Sequence, residues 1–266
     1  MKEFSFGSYY PAVSFVHKMD ARVKILLSIA YIVGVFLCSS NYLGFALCLV
    51  FILTACILSK VSFFRVLKSI KGVIFFVLLS AILQLLLNKN GTPLWEGGFI
   101  TDQGLRSAIY IVLRIVLIIL GSSLLTLTTS PVEIADGIES LMSPLKLVKF
   151  PVHEFALIMS IALRFIPTLM EETDKIIKAQ KARGANFDKG GLLKRAKALI
   201  PVLIPLLVGS FRRADELADA MDSRCYAGSK KRTKFKKQTL SYRDVLAFIF
   251  TAGLIVGIVF INKVIL

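Results

Sequence analysis

Catalytic and metal-binding side chains are scarce in this chain. Only two histidines occur among 266 residues, His17 and His153, far apart in sequence. The four cysteines are Cys38, Cys48, Cys56 and Cys225, and none forms a CxxC pair. That spacing excludes the usual zinc and redox motifs. The first three lie inside apolar runs and read as small apolar side chains. No HExxH or GxSxG occurs, and no paired carboxylates sit in the apolar stretches, so hydrolase signatures are missing. Gly190-Gly191 followed by Lys194 falls short of GxxxxGK(S/T), which excludes a nucleotide-phosphate cradle of that type. The first twenty residues are mixed polar and aromatic, with no continuous apolar core of a cleavable leader. Acidic residues are also few: 17 against 33 basic ones, for a net charge of +16.

What the chain has in abundance is apolar length. Hydrophobic residues make up 56% of it, with a mean hydropathy of +0.73, and they come in blocks. A helix needs about 20 apolar residues to cross a bilayer. Spans are expected at about Val23–Ser39, Leu43–Leu58, Gly72–Leu87, Leu105–Leu127 and Val245–Ile261. Between the second and third lies Lys60 to Lys71, a loop with Lys60, Arg65, Lys68 and Lys71 and no acid. The segment Asn88 to Gly104 is rich in turn residues and nearly charge-balanced. Pro131, with Glu133 in the first turn after it, marks the start of an amphipathic interfacial helix to Val148, interrupted at Pro144.

From Val152 the pattern changes. Residues His153 to Ala182 begin apolar and end charged, and thirty helical residues reach roughly 45 Å. Pro167 is expected to kink this helix. Glu171/Lys175 and Asp174/Lys178 stand four apart in the favourable order. After a turn at Asn186 to Gly191, a second helix of the same kind runs from about Leu192 to Met221, with Pro201 and Pro205 in its apolar middle. A basic linker, Gly228 to Lys237, precedes the last span.

Orientation follows from the basic residues. Between Lys181 and Arg243, sixteen basic residues stand against five acidic ones. By the positive-inside rule that region and the Lys60 loop are cytoplasmic. The N-terminus is then cytoplasmic and the C-terminus outside, which five spans satisfy. The run Lys230-Lys231-Arg232-Thr233-Lys234 reads as an anchor on anionic lipid beside a span, and no nucleic-acid partner is expected. The expected fold is an all-α polytopic membrane protein with about five transmembrane helices. Its regions are 1–130 with four spans, 131–228 with cytoplasmic-side helices, and 229–266 with the basic linker and last span.

Two short triplets end the two long amphipathic stretches: Ala182-Arg183-Gly184 and Ser223-Arg224-Cys225. Taken alone, Arg183 reads as a cation at a helix C-terminus followed by a glycine cap. Its repetition at Arg224 favours a docking device, because a guanidinium between small residues can form a bidentate bond to a partner carboxylate. Inside the fourth span, Arg114 is either a functional cation or one that snorkels or pairs within the helix bundle. Arg164, just before Pro167, is structural or touches a partner.

Three stretches resemble the transmembrane T component of energy-coupling factor transporters, the EcfT/CbiQ family. Ser14, His17, Asp20, Arg22 and Lys24 resemble that family's S-x-x-H-x-x-D-x-R-x-K lead-in to the first span. Ala162 to Pro167, followed by Glu171-Glu172, is similar to its first long coupling helix. The two Arg triplets are similar to its paired Ala-Arg-Gly motifs, with Ser223 and Cys225 departing from that pattern. The resemblance implies a non-enzymatic coupling subunit in a prokaryotic plasma membrane. Its implied partners are two ABC-type ATPase subunits, which bind ATP, and a small membrane S component, which binds a vitamin or transition-metal ion. The chain itself needs no cofactor. The triplets Ala182, Arg183, Gly184 and Ser223, Arg224, Cys225 would dock the ATPases, while Arg164, Pro167 and Arg114 are S-component or structural candidates. A second reading is a membrane-embedded enzyme that holds a lipid phosphate through Arg114 and Arg164.

Overall fold

A computed structural model describes residues 9–38, 42–88, 101–144, 151–185, 187, 191–226, 228 and 241–265. The elements in it are helical: α1 (Ala21–Leu37), α2 (Tyr42–Ser59), α3 (Phe63–Lys68), a 3-10 turn (Ser69–Gly72), α4 (Ile74–Leu87), α5 (Asp102–Thr128), α6 (Pro131–Leu141), α7 (Val152–Ala182), α8 (Leu192–Ser223) and α9 (Tyr242–Ile265). The protein is an all-α polytopic membrane protein. It divides into two compact units, one holding α1–α6 and α9, the other α7 and α8.

In the transmembrane unit, α2, α5 and α9 are each long and apolar enough to cross a membrane. α1 has 17 residues and reaches about 26 Å, somewhat short of a hydrocarbon core of about 30 Å. The expected third span, Gly72–Leu87, is occupied by one helix, α4. α4 has only 14 residues, and it reaches the length of a span only together with the helical segment Phe63–Gly72, from which it is bent by 66°. The stretch read as a basic loop holds a short helix, α3, whose Phe63, Val66 and Leu67 pack on the core together with Ile70 of the 3-10 turn. The turn at Ser40-Asn41, residues 89–100, the stretch after Pro144 and most of the basic linker fall outside the described residues.

Each helix start carries its own chemical signal. Asp20 caps α1 by accepting from the Arg22 N–H. Thr101 caps α5 through Gly104 N–H. Ser130 and Glu133 form a full capping box at α6: Ser130 Oγ accepts from Glu133 N–H, and Glu133 Oε2 accepts from Ser130 N–H. At α9, Asp244 Oδ2 accepts from the Ser241 N–H, the reciprocal arm of the same motif.

Packing follows helical periodicity. On α2, Phe45, Cys48, Ile52 and Cys56 recur every three or four residues and are buried. They meet Tyr31, Val35 and Cys38 of α1, Leu117 and Leu120 of α5, and Leu254 and Ile258 of α9. Cys38 and Cys48 are free thiols inside this core, serving as the small apolar side chains the sequence implies. Gly121 is required where it stands, since a Cβ there would lie 2.5 Å from the Tyr31 ring. Both carbonyls at the end of α1 are held from other helices: Asn262 Nδ2 donates to Leu37 O and Arg114 Nη2 to Cys38 O.

The lead-in motif is a polar knot at the opposite end of α1. His17 Nε2 donates to Tyr10 O at 3.0 Å, so its Nδ1 accepts from the Ser14 hydroxyl at 2.7 Å in the neutral ring. Burial pushes the His17 pKa below its ordinary value, with the Tyr10 carbonyl opposing only in part. Lys24 Nζ donates to His17 O and to Thr128 O, tying the lead-in to the end of α5. Asp244 Oδ1 accepts from the Asp20 N–H, tying α9 to the start of α1. Asp244 is only 2% exposed, and its removal strands two backbone donors. Asp244→Ala should lower stability by about 1–3 kcal/mol, read as a drop in melting temperature in detergent. Asp244→Asn, which keeps one acceptor oxygen, should lose less.

Candidate functional site

α7 and α8 carry the candidate residues. α7 covers 31 residues and α8 covers 32, close to the expected bounds. Both run through their prolines, Pro167 in α7 and Pro201 and Pro205 in α8. Each proline lacks an N–H, so the carbonyls of Leu163, Lys197 and Pro201 lose their helical donors.

The two helices end alike. In α7, Arg183 is the C-cap, Gly184 follows at φ +88°, Gly184 N–H donates to Lys181 O, and Ala185 N–H donates to Gln180 O. In α8, Arg224 is the C-cap, Cys225 follows at φ +54°, Cys225 N–H donates to Asp222 O, and Tyr226 N–H donates to Met221 O. Both are complete Schellman motifs, with a 6→1 and a 5→2 bond. The third position of each triplet must therefore be left-handed. Glycine takes that conformation freely, and Cys225 takes it at a cost of roughly 1–2 kcal/mol. All six triplet residues are exposed. Neither guanidinium has a hydrogen-bond or ion-pair partner among the described residues.

An ion pair links the two helices, and no sequence pattern announces it. Arg213 Nη2 of α8 pairs with Glu172 Oε2 of α7, with both side chains more than two-thirds buried. Gly209, one turn earlier on α8, makes room, since a Cβ there would lie 3.3 Å from Glu172 Oε1. Arg183 stands eleven residues beyond Glu172, and Arg224 eleven beyond Arg213. At 1.5 Å per residue each arginine lies about 16 Å along its helix from the crossing pair. The expected Glu171/Lys175 and Asp174/Lys178 pairs do not close within 4 Å, and the ion pair on this stretch of α7 is Glu172–Arg213. Exposed four-apart pairs gain too little to hold two long side chains in place. Arg212 and Glu216 of α8 do pair, at 3.1 Å on the exposed face.

The remaining candidates lie elsewhere. Arg164 and Pro167 are exposed on the first half of α7. Arg114 belongs to the transmembrane unit, where its Nη2 donates to Cys38 O at 3.0 Å. Its Nε is buried without a partner among the described residues, and the guanidinium carbon lies 6.0 Å from the Phe36 ring centre.

The left-handed third position gives a direct check on the local geometry. Cys225→Gly should raise stability by about 1 kcal/mol by relieving the positive φ. Gly184→Ala should lower it by a similar amount. Both are read as shifts in thermal melting of the purified chain.

Comparisons with known proteins agree with this architecture. Residues 12–235 match the CbiQ family, described as cobalt transport protein. The chain is 48% identical over 250 residues, 93% of its length and 92% of the relative's, to the energy-coupling factor transporter transmembrane protein EcfT of Clostridium kluyveri. It is 48% identical to the EcfT protein of Brevibacillus brevis over 97% of this chain and 98% of that one. For the EcfT protein of Bacillus subtilis the identity is 44%, over 96% and 98%. With a family match over most of its length and relatives this similar from end to end, the chain belongs to the CbiQ/EcfT family, the transmembrane component of energy-coupling factor transporters.

Proposed function

We propose that this chain is the coupling subunit of a micronutrient importer, transmitting ATP-driven motion from two ABC-type ATPase subunits to a small membrane S component. Arg183 and Arg224 are the contacts to the ATPases, one to each. The S component holds the cargo, a vitamin or a transition-metal ion, and packs on the apolar faces of α7 and α8. The basic surplus puts α7, α8 and the N-terminus on the cytoplasmic side and the C-terminus outside. The chain performs no chemistry and binds no cofactor, since ATP belongs to the partners.

The observation that carries this reading is the equivalence of the two helix ends. Two arginines are presented by the same Schellman geometry, exposed and unpaired among the described residues. Each stands eleven residues from one ion pair that ties the helices together. A pair of rigid levers with matched tips suits a pair of matched partners, and it can carry a closing motion as a rigid body. The lipid-phosphate reading is less well supported, because Arg114 is already engaged with a backbone carbonyl.

Uptake by the reconstituted complex tests this. A buried interfacial arginine is a typical hot spot worth about 2 kcal/mol or more, or roughly 30-fold in affinity. Arg183→Ala with Arg224→Ala should abolish uptake while the chain still inserts in the membrane. Lysine at both positions should restore little, since the planar fork is lost. Normal uptake by the double alanine variant, in a complex of normal composition, would overturn the proposal.

A further inference from the structure

A cavity of about 480 Å³ opens inside the transmembrane unit, between α1, α2, α5 and α9. Its walls include Leu27, Phe51, Ala55, Leu124, Ala247 and Phe250. An aromatic stack holds it open: the Tyr31 and Phe51 rings lie 5.6 Å apart and the Phe51 and Phe250 rings 5.1 Å apart. Gly121 receives the Tyr31 ring, and the small side chains of Ala55 and Ala247 leave the space unfilled. On α1 the lining runs from Lys24 to Tyr31, about 10 Å along the helix.

Water is a poor occupant. Interiors hold few voids larger than a water molecule, and a buried water needs two to four polar partners. The polar groups lining this cavity are already engaged. Ser28 Oγ donates to Lys24 O, Thr128 Oγ1 to Leu124 O, and Thr251 Oγ1 to Ala247 O. Lys24 Nζ donates to His17 O and Thr128 O. The carboxylates of Glu133, Asp244 and Asp20 attract the same ammonium. The cavity thus selects neither an anion nor a cation. It matches in size a small-molecule site of roughly 300–1,000 Å³, and in polarity the hydrocarbon that surrounds α2, α5 and α9 as spans.

We propose that this cavity binds one acyl chain of a membrane lipid, taken in between α1, α2, α5 and α9 and recognised through the tail rather than the headgroup. The chain supplies the contacts that the four helices leave unmade.

Photocrosslinking tests this on the full chain in its complex. The complex is placed in phosphatidylethanolamine–phosphatidylglycerol vesicles containing a phosphatidylcholine with a mid-chain diazirine, and adducts are mapped by mass spectrometry. Adducts at Leu27, Phe51 and Leu124 should saturate as the probe fraction rises. Adducts at Phe75 of α4, an exposed apolar residue, should rise linearly. A phosphatidylglycerol probe with the same tail should give the same pattern. Filling the space with Ala55→Phe or Ala247→Leu should remove most cavity adducts and leave those at Phe75. Cavity adducts that never saturate, or that depend on the headgroup, or that survive filling in a folded variant, would overturn the proposal.

Discussion

The largely buried ion pair between Glu172 and Arg213 is the constraint on which the pairing of α7 and α8 depends. Two helices of 31 and 32 residues, each interrupted in its donor ladder by proline, pack on one another with this pair at their contact. An ion pair taken partly out of water holds its geometry because losing one partner leaves the other charge buried and unpaired. Arg213 pairs through Nη2, while its Nη1 is buried with no partner among the described residues. Gly209 is part of the same device, since any side chain there crowds the Glu172 carboxylate. With the crossing fixed, the two helix ends inherit a defined spacing, and the Schellman turns fix how each arginine leaves its helix.

The transmembrane unit is organised by polar contacts at its ends and apolar contacts between them. Lys24 and Asp244 gather the lead-in, α1, α5 and α9 at one end. Arg114 and Asn262 gather α5 and α9 onto the other end of α1. Between these knots the aromatic stack of Tyr31, Phe51 and Phe250 spaces the helices. In hydrocarbon there is no hydrophobic force between helices, so satisfied polar groups and close packing must supply the specificity. Lys24, Arg114 and Asp244 are used in that way, as clamps on backbone carbonyls and amides.

The sequence made the local features legible and hid the long-range ones. Apolar runs located α1, α2, α5 and α9 to within a few residues, and Pro131 with Glu133 in the first turn marked the start of α6. The bounds of α7 and α8 followed from their amphipathic stretches, because helix starts and stops are written in neighbouring residues. The third span was located as closely as the others, but hydropathy reports apolar length and does not see the 66° bend before α4 or the packing that makes α3 helical. The Glu172–Arg213 pair joins residues 41 positions apart, and Asp244 reaches an amide 224 positions away, so no periodicity could announce either. The four-apart charges on α7 were visible and did not pair, since solvent competes for them. Cys225 stood out as a departure from a glycine motif, but only its positive φ explains why glycine suits that position.

The most direct measurement is uptake by reconstituted complexes carrying a charge exchange at the crossing. Glu172→Arg and Arg213→Glu are each introduced alone and then together. If the ion pair sets the geometry that lets Arg183 and Arg224 act together, each single variant loses uptake and the exchanged pair recovers it. An exchanged pair no better than either single variant, in complexes of normal composition, would contradict the account.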